Sequence, residues 1–253
     1  MPAAKPLRMP LQVLCTSLLL LAAGCASYRT PGAAADFNIL ADDDIKEILA
    51  RRPASPLPAQ LATARVQAPR YRSRTTKGYG TGKYSVVTVR DIETDEDFER
   101  LRSLPQVEQV ATLNRMLLSE HLESDRQLRQ AAASLHADLL LLYTFDTSFF
   151  VGDVLPPLSV VTLGLSPNQT AEVTTTASAI LMDVRTGYIY GSCETTSRKN
   201  QIASAWTSGE AVDFMRLKTE REAFEELLDE VETLWKTGVV KEIGGLTASL
   251  IGE

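Results

Sequence analysis

The sequence contains few of the residues that build metal sites and nucleophilic active sites. Only two histidines, His121 and His136, occur among 253 residues. Neither belongs to a His-Glu-x-x-His arrangement, in which a second ligand would follow at metal spacing. No Gly-x-Ser-x-Gly segment occurs, so a serine hydrolase would have no nucleophile elbow. The sequence therefore predicts no catalytic residue, no metal and no cofactor, and we expect the protein not to be an enzyme.

A phosphate-binding loop of the P-loop type is also missing. The glycine-rich segment KGYGTGKYS spans residues 77–85 and contains Gly82 followed by Lys83. In a P-loop, glycine occupies the position of Lys77, and Ser or Thr occupies the position of Tyr84. The segment also leads into a predicted strand rather than a helix. Both departures argue against a nucleotide site.

No hydrophobic run has the roughly 20 residues that a membrane-spanning helix needs. The most apolar stretch precedes Cys25 and is interrupted by polar residues. It follows two basic residues, Lys5 and Arg8, and ends in the small residues Ala22, Ala23 and Gly24. A basic start, an apolar middle and a small-residue processing site are typical of a secretory signal peptide. A one-pass membrane anchor is the alternative.

The segment Leu21-Ala22-Ala23-Gly24-Cys25 resembles the lipobox of bacterial lipoproteins. The resemblance implies that the Cys25 thiol receives a diacylglycerol, that a peptidase cuts between Gly24 and Cys25, and that a fatty acid such as palmitate acylates the new amine. Residues 1–24 would be the signal peptide. Three acyl chains exceed the two membrane signals that stable anchoring requires. Ala26, where an Asp would mark inner-membrane retention, implies the periplasmic face of the outer membrane.

The cysteine content excludes a disulfide framework. Cys15 would leave with the signal peptide and Cys25 would carry the lipid, so the mature chain would keep one free thiol, Cys193. A single thiol cannot form an internal disulfide. Cys193 lies in the predicted strand GSCETTS, where we expect a small half-buried residue rather than a nucleophile.

The net charge is −6, and becomes −8 without Lys5 and Arg8, which argues against a nucleic-acid partner. The charge is unevenly distributed. Nine basic and no acidic residues lie from position 48 to 90, whereas 27 acidic and 13 basic residues follow from Asp91. The favoured interpretation of the basic stretch is a solvated linker that packs loosely on the acidic domain. The alternative is a basic arm that contacts anionic lipid or cell-wall polymer.

The remaining pattern predicts an α/β (α+β) domain, a mixed sheet flanked by helices. Residues 25–82 are predicted to be a lipid-anchored tether with a short helix in 41–52 and a basic linker, 83–238 the globular domain, and 239–253 a tail. Strands are predicted at 84–90, 107–113, 138–147, 159–165, 171–184 and 188–197, with helices at 95–104, 124–137 and 208–235. Ser124 and Gln127 form a predicted capping box, Arg185-Thr186-Gly187 a hairpin turn, and Gly238 a helix stop.

Two segments resemble a known domain. LRQAAASLHADLLLLYTFDT and TASAILMDVRTGYIYGS are similar to the amino-terminal domain of TolB, to the curli-secretion lipoprotein and to the lipoprotein activators of penicillin-binding proteins. The likeness covers residues 84 to about 235. The whole chain, with its lipobox and Gly244-Gly245, also resembles the rhombotarget lipoproteins, although a flexible helix end explains Gly244-Gly245 equally well.

These observations favour a membrane-anchored lipoprotein whose periplasm-facing domain binds an envelope protein, as a non-enzymatic assembly or regulatory factor. One alternative is an oligomeric export component of the curli-secretion kind, which would be a homo-oligomer. The other is a cell-wall or lipid hydrolase, in which His121 or His136 would take part.

Overall fold

The computed structural model describes residues 27–29, 45–153, 169–203 and 209–243. Gly24, Cys25, the predicted strand 159–165 and Gly244-Gly245 lie outside the described residues. The helices are α1 (Ile45–Ala50), α2 (Asp95–Arg102), α3 (Asp125–Ser134) and α4 (Gly209–Leu234). The strands are β1 (Ser27–Arg29), β2 (Ala59–Gln67), β3 (Thr81–Gly82), β4 (Ser85–Val87), β5 (Val107–Thr112), β6 (His121–Leu122), β7 (Leu139–Asp153), β8 (Gln169–Asp183) and β9 (Ile189–Ala203).

Seven strands form one mixed sheet, which confirms the predicted fold class. β2 is central: one edge pairs in parallel with β7, and the other pairs in parallel with β5 and antiparallel with β4. β7, β8 and β9 follow as an antiparallel meander of 15-residue strands. β1 pairs antiparallel with the distal half of β7. β3 and β6 form a separate two-stranded parallel sheet.

Helices cover the two faces of this sheet, because both faces carry apolar side chains. α4 and α2 pack on one face, where Phe145, Phe224 and Trp235 belong to a single buried cluster. α3 packs on the other face through Leu128, Ala131 and Ala132, against β2, β4 and the first half of β7. β7 is buried on both sides because its leucines alternate between the two clusters.

The predicted local signals of α3 and of the β8–β9 turn are confirmed. Ser124 is the N-cap of α3 and forms a capping box with Gln127. Asp183 Oδ1 accepts hydrogen bonds from the backbone N–H groups of Arg185 (2.8 Å) and Thr186 (2.9 Å), and Gly187 takes a positive φ of 69°. An aspartate that bonds the backbone two residues on is the usual device for such turns.

Gly238 does not end the last helix, so this prediction is wrong. α4 passes into a π-helical turn (Trp235–Val239), and helical backbone continues to Ile243. Trp235 and Val239 are fully buried and Ile243 is 6% exposed, all in the cluster beneath α4. Burial of these side chains outweighs the roughly 1 kcal/mol that a helical glycine costs.

The predicted boundary between tether and domain at residue 83 is also corrected. Residues 59–67 were expected in the linker, but they form β2, the strand on which β4, β5 and β7 assemble. The segment before β2 is held as well, because Asp183 Oδ2 accepts hydrogen bonds from the backbone N–H groups of Ala54 and Ser55, both at 2.8 Å. The folded domain therefore begins well before residue 83.

We predict that a chain beginning at residue 83 does not fold, because it lacks β2 and exposes the edges of β7, β5 and β4. A chain beginning at Ile45 should unfold cooperatively, since it keeps α1 and β2. Circular dichroism during heating compares the two. A cooperative transition in the shorter chain would contradict the central role of β2.

Candidate functional site

The predicted lipid-attachment residue lies just before the first described strand. β1 begins at Ser27, two residues after Cys25, and its Cα partners are Phe150 for Ser27 and Ser148 for Arg29. Two extended residues span at most about 7 Å. Ser27, which follows Cys25 by two residues in the sequence, is therefore held at the edge of β7.

The two ends of the meander lie far apart. β1 pairs with Ser148, whereas Leu139 at the start of β7 pairs with Asp183, next to the β8–β9 turn. Nine residues of strand span about 30 Å. The edge nearest Cys25 and the β8–β9 turn are thus opposite ends of the domain.

The most concentrated chemistry in the described residues is a buried ionic network beneath α4, formed by Arg65, Asp91, Glu93, Arg216 and Glu220. Arg65 Nη1 lies 2.8 Å from Asp91 Oδ1 and 3.4 Å from Glu93 Oε1. Arg216 Nη1 lies 2.5 Å from Glu220 Oε2, and Arg216 Nη2 lies 3.7 Å from Asp91 Oδ2. Asp91 therefore links an arginine of β2 with an arginine of α4.

Hydroxyl groups complete the network. The Tyr143 hydroxyl donates to Glu93 Oε1 at 2.8 Å, and the Thr147 hydroxyl donates to Glu220 Oε1 at 2.9 Å. Arg65 Nε and Nη2 and Glu93 Oε2 are buried and make no hydrogen bond within the described part of the chain. Each such atom costs free energy, so the network depends on the pairs that it does form.

Burial and charge pull the pKa values of this network in opposite directions. Burial alone would lower the pKa of Arg65, but the carboxylates of Glu93 and Asp91 outweigh it and raise that pKa. For Glu220 burial is the larger effect: it raises the pKa to about 6, although Arg216 opposes it. Burial likewise raises the pKa of Tyr143 well above its ordinary value.

Most of the network is sealed from solvent, with only Asp91, whose side chain is 10% exposed, at its edge, and this limits what the network can do chemically. The side chains of Arg65 and Arg216 are 1% exposed and those of Glu93 and Glu220 are 2% exposed. A catalytic acid or base has to come within hydrogen-bond reach of its substrate. We therefore interpret the network as a device that orients β2, β7 and α4.

Cys193, His121 and His136, which were considered above as possible chemical groups, lie in three different parts of the fold. Cys193 is half-buried in β9, as predicted, and burial raises the pKa of its thiol to about 11, so it is protonated near neutral pH. His121 is exposed in β6, with Nε2 2.8 Å from Glu123 Oε1. His136 follows α3 with a φ of 58°, and its backbone N–H donates to the Ala133 carbonyl at 2.9 Å.

The glycine-rich segment has a structural explanation. Gly80 and Gly82 have φ values of 94° and 108°, and a Cβ at Gly82 would lie 2.3 Å from the Leu122 carbonyl oxygen. Glycine is thus required for the close pairing of β3 with β6. The segment continues into β4 and not into a helix, as expected.

Two surface cavities have charged side chains in their linings, and in the first of them six carboxylates outnumber three cations. One, of about 630 Å³, lies between α2 and α4, where Arg100 pairs with Asp229 and Glu232, and Arg221 pairs with Asp97. The other, of about 660 Å³, lies beside the end of α4, and there the Tyr188 hydroxyl donates to Glu242 at 2.5 Å.

The described residues contain no group of three His, Cys, Asp or Glu side chains arranged to hold a metal ion. Within the same ranges, no helix combines the length and the apolar character needed to cross a bilayer.

Comparison with known proteins shows similarity only to solved structures. No protein-family profile matches the chain, and no curated protein matches it. Protein XCC0632 from Xanthomonas campestris, assigned to the family DUF330, is 13% identical; the match covers 79% of this chain and 94% of that one, with a TM-score of 0.30. The hypothetical protein CT253 from Chlamydia trachomatis is 11% identical, with coverages of 69% and 95% and a TM-score of 0.32. Scores this low support no statement about function.

We predict that Arg65→Met destabilises the protein by about 3–5 kcal/mol, because it leaves Asp91 and Glu93 buried without their cation. This corresponds to a melting temperature lower by about 10 °C. The control is Arg102→Met, which removes an exposed pair with Glu99 and should cost under about 1 kcal/mol. Equal losses in thermal unfolding would contradict the ionic role of Arg65.

The raised pKa of Glu220 predicts a pH-dependent stability. The folded-state pKa of about 6 exceeds the ordinary 4.5, so the folded form binds the proton more tightly. The resulting stabilisation is full below pH 4.5 and is lost as pH rises through 6. Between pH 5 and pH 7 the loss is about 1 kcal/mol.

Glu220→Gln tests this prediction because glutamine cannot titrate. Denaturant unfolding gives the free energy of unfolding of the wild type and of the variant at pH 5 and at pH 7. The wild-type value minus the variant value is then compared between the two pH values, because this subtraction removes the contributions of other titrating groups. A difference that does not change with pH would show that Glu220 stays ionised throughout.

Proposed function

We propose that this protein is a lipid-anchored envelope protein whose α/β domain binds another envelope protein, as a non-enzymatic assembly or regulatory factor. The observation that carries the proposal is the lipobox ending at Cys25, followed after one residue by a strand of the folded domain. In this proposal the signal peptide ends at Gly24, Cys25 carries the lipid, and the domain faces the periplasm from the outer membrane.

The position of β1 gives the anchored domain a defined orientation. Because β1 pairs with β7 directly after Cys25, the bilayer would lie next to the distal end of the meander. The β8–β9 turn would then point away from the membrane by about 30 Å. A domain held in this way presents the same surface to its partners, which suits a binding role.

The chemistry of the described residues supports binding rather than catalysis. The buried acids and bases are sealed beneath α4, and the one described cysteine has a raised pKa. Surface charge is the more accessible feature, since 27 acidic residues lie from Asp91 onward against 13 basic ones. Such a surface recognises partners by charge complementarity and disfavours nucleic acid.

Replacing the lipidated residue tests the anchor. We expect Cys25→Ser to abolish incorporation of labelled fatty acid and to move the protein from the membrane fraction to the soluble fraction, because no thiol remains to be acylated. Cys193→Ser is the matched control and should leave both unchanged. An unlabelled wild-type protein, or a membrane-bound Cys25→Ser variant, would contradict the proposal.

Cross-linking in intact cells tests the partner. The wild type should capture a discrete envelope protein, and the Cys25→Ser variant should capture less of it because the two proteins are no longer held at the same membrane. A large ring made only of this chain would instead favour the oligomeric export alternative. A hydrolytic activity abolished by His121→Ala or His136→Ala would favour an enzyme.

A further inference from the structure

Two of the phenylalanines that the structure describes are exposed, whereas the other described ones are buried. Phe150 is 57% exposed and Phe214 is 69% exposed. The buried phenylalanines, none of them more than 8% exposed, are Phe98, Phe145, Phe149 and Phe224. Leaving an aromatic ring in water forgoes the stabilisation that its burial would bring. The place of the two exposed rings in the fold therefore matters.

Phe150 lies directly opposite Ser27. The two residues are Cα partners in the pairing of β1 with β7. Opposite residues of an antiparallel pair have Cα atoms about 4.5–5.5 Å apart. The two residues from Ser27 back to Cys25 span at most about 7 Å. The backbone of Phe150 therefore lies within about 12 Å of the backbone of Cys25.

Phe214 lies at the same end of the domain, on the helix that covers the other face of the sheet. Its neighbour Met215 packs in a small buried cluster with Phe149 and Val173. Phe149 precedes Phe150 in β7, and Val173 is the Cα partner of Phe149 in β8. Because successive side chains of a strand point to opposite faces, the two exposed rings flank the distal end of the meander on its two faces.

The charged side chains next to these two rings are paired. Glu172 is the Cα partner of Phe150 in β8, and its Oε1 lies 3.3 Å from Arg198 Nε. Asp213 precedes the second ring in α4, and its Oδ1 lies 3.0 Å from Arg216 Nε. Paired charges oppose contact with a bilayer less than lone charges do.

The sequence near the rings also suits a membrane surface. Residues 154–168, which connect β7 to β8 and lie outside the described residues, contain no Asp, Glu, Lys or Arg. Lys218, one turn after Phe214 in α4, is exposed. A cation near a membrane surface is attracted by anionic lipid. Neither feature would repel an anionic bilayer.

Exposure alone does not distinguish this end, because α1 exposes apolar side chains at the other end. Ile45 is 73% exposed and Leu49 is 71% exposed. Arg51, directly after α1, donates through Nη1 to the Gly187 carbonyl at 3.4 Å, which places α1 beside the β8–β9 turn. What distinguishes the two phenylalanines is that they lie at the end nearest Cys25. The turn end also has a surface cavity lined by four arginines, namely Arg51, Arg126, Arg129 and Arg185.

We propose that the distal end of the meander lies against the bilayer, with Phe150 and Phe214 buried between the lipid headgroups and the acyl chains. The contact rests on the proposed function, since an acylated Cys25 brings the bilayer within reach of Phe150. Apolar side chains of membrane-surface proteins enter this boundary by about 5–10 Å. The two rings thereby exchange water for apolar surroundings, which is favourable.

These contacts give the domain an orientation that the acyl chains cannot give alone. The lipid holds the chain at one point, and attachment at one point leaves the domain free to tilt. Phe150 and Phe214 lie on opposite faces of the sheet, so tilting toward either face withdraws one ring from the interface. Withdrawing an apolar ring into water is unfavourable, and the tilt is therefore restricted.

Fluorescent labelling of single cysteines tests this contact. Phe150→Cys and Phe214→Cys are made in a Cys193→Ser chain, purified with the acylated Cys25, labelled with an NBD group and placed in vesicles of phosphatidylethanolamine and phosphatidylglycerol. We expect the emission at both positions to shift to shorter wavelength and to be quenched by nitroxide groups on the acyl chains. Leu49→Cys is the matched control, an equally exposed apolar position at the other end, and should show neither change.

The membrane contact is excluded if a folded variant labelled at position 150 or 214 is not quenched. It is also excluded if the label at position 49 is quenched as strongly as the labels at 150 and 214. Two test positions keep the experiment decisive if one variant does not fold.

The Cys193→Ser chain without an added cysteine separates this contact from the anchor. This chain should take up no label, because the Cys25 thiol carries the lipid. Labelling of this chain would contradict the proposed anchor and the membrane contact together. An unlabelled control chain combined with unquenched labels at positions 150 and 214 would contradict the membrane contact alone.

Discussion

The sheet is organised around a positive charge that the fold buries at its centre. Arg65 lies in β2, the strand that pairs with β4, β5 and β7, and its side chain is 1% exposed. A buried arginine is tolerated only beside carboxylates, here Asp91 and Glu93. A one-residue slip of β2 would turn Arg65 to the opposite face. That face is apolar, lined by residues such as Leu140 and Leu142. The Arg65 ion pairs therefore form only in the observed register of β2, and they in turn stabilise that register.

The need of the buried arginines for carboxylate partners also brings the basic and acidic parts of the chain into contact. The basic stretch before Asp91 supplies Arg65, and α4 supplies Glu220 and Arg216, so charges from distant parts of the sequence meet under one helix. Because these charged side chains pair with one another inside the domain, they are not available on the surface to bind a partner. The arginines at the β8–β9 turn are different, since they converge on solvent. The domain thus has a largely sealed ionic interior, and a cavity with several arginines in its lining lies at one end.

The predictions that succeeded were those carried by short-range signals. The capping box of α3, the aspartate turn before β9 and the apolar run of β7 depend on neighbours within a few residues, and each forms as expected. β2 was missed because AQLATARVQ contains several small alanines and an arginine and follows a proline-rich segment. A strand buried on both faces ordinarily shows a continuous aliphatic run. The extension of the last helix past Gly238 was missed because the burial of Trp235 and Val239 is a tertiary effect.

The sequence by itself predicted a leader and a lipobox at Cys25, and it predicted most secondary structure, because these signals depend on residue order and local periodicity. The tertiary structure alone decided that the basic linker contains the central strand, since a buried arginine is stable only where distant carboxylates meet it. It also decided that β1 holds the chain after Cys25 to β7, and that arginines from α3, the turn and Arg51 share one cavity. Arg51 and the Gly187 carbonyl that it contacts are separated by 136 positions, and only folding brings such groups close enough to interact.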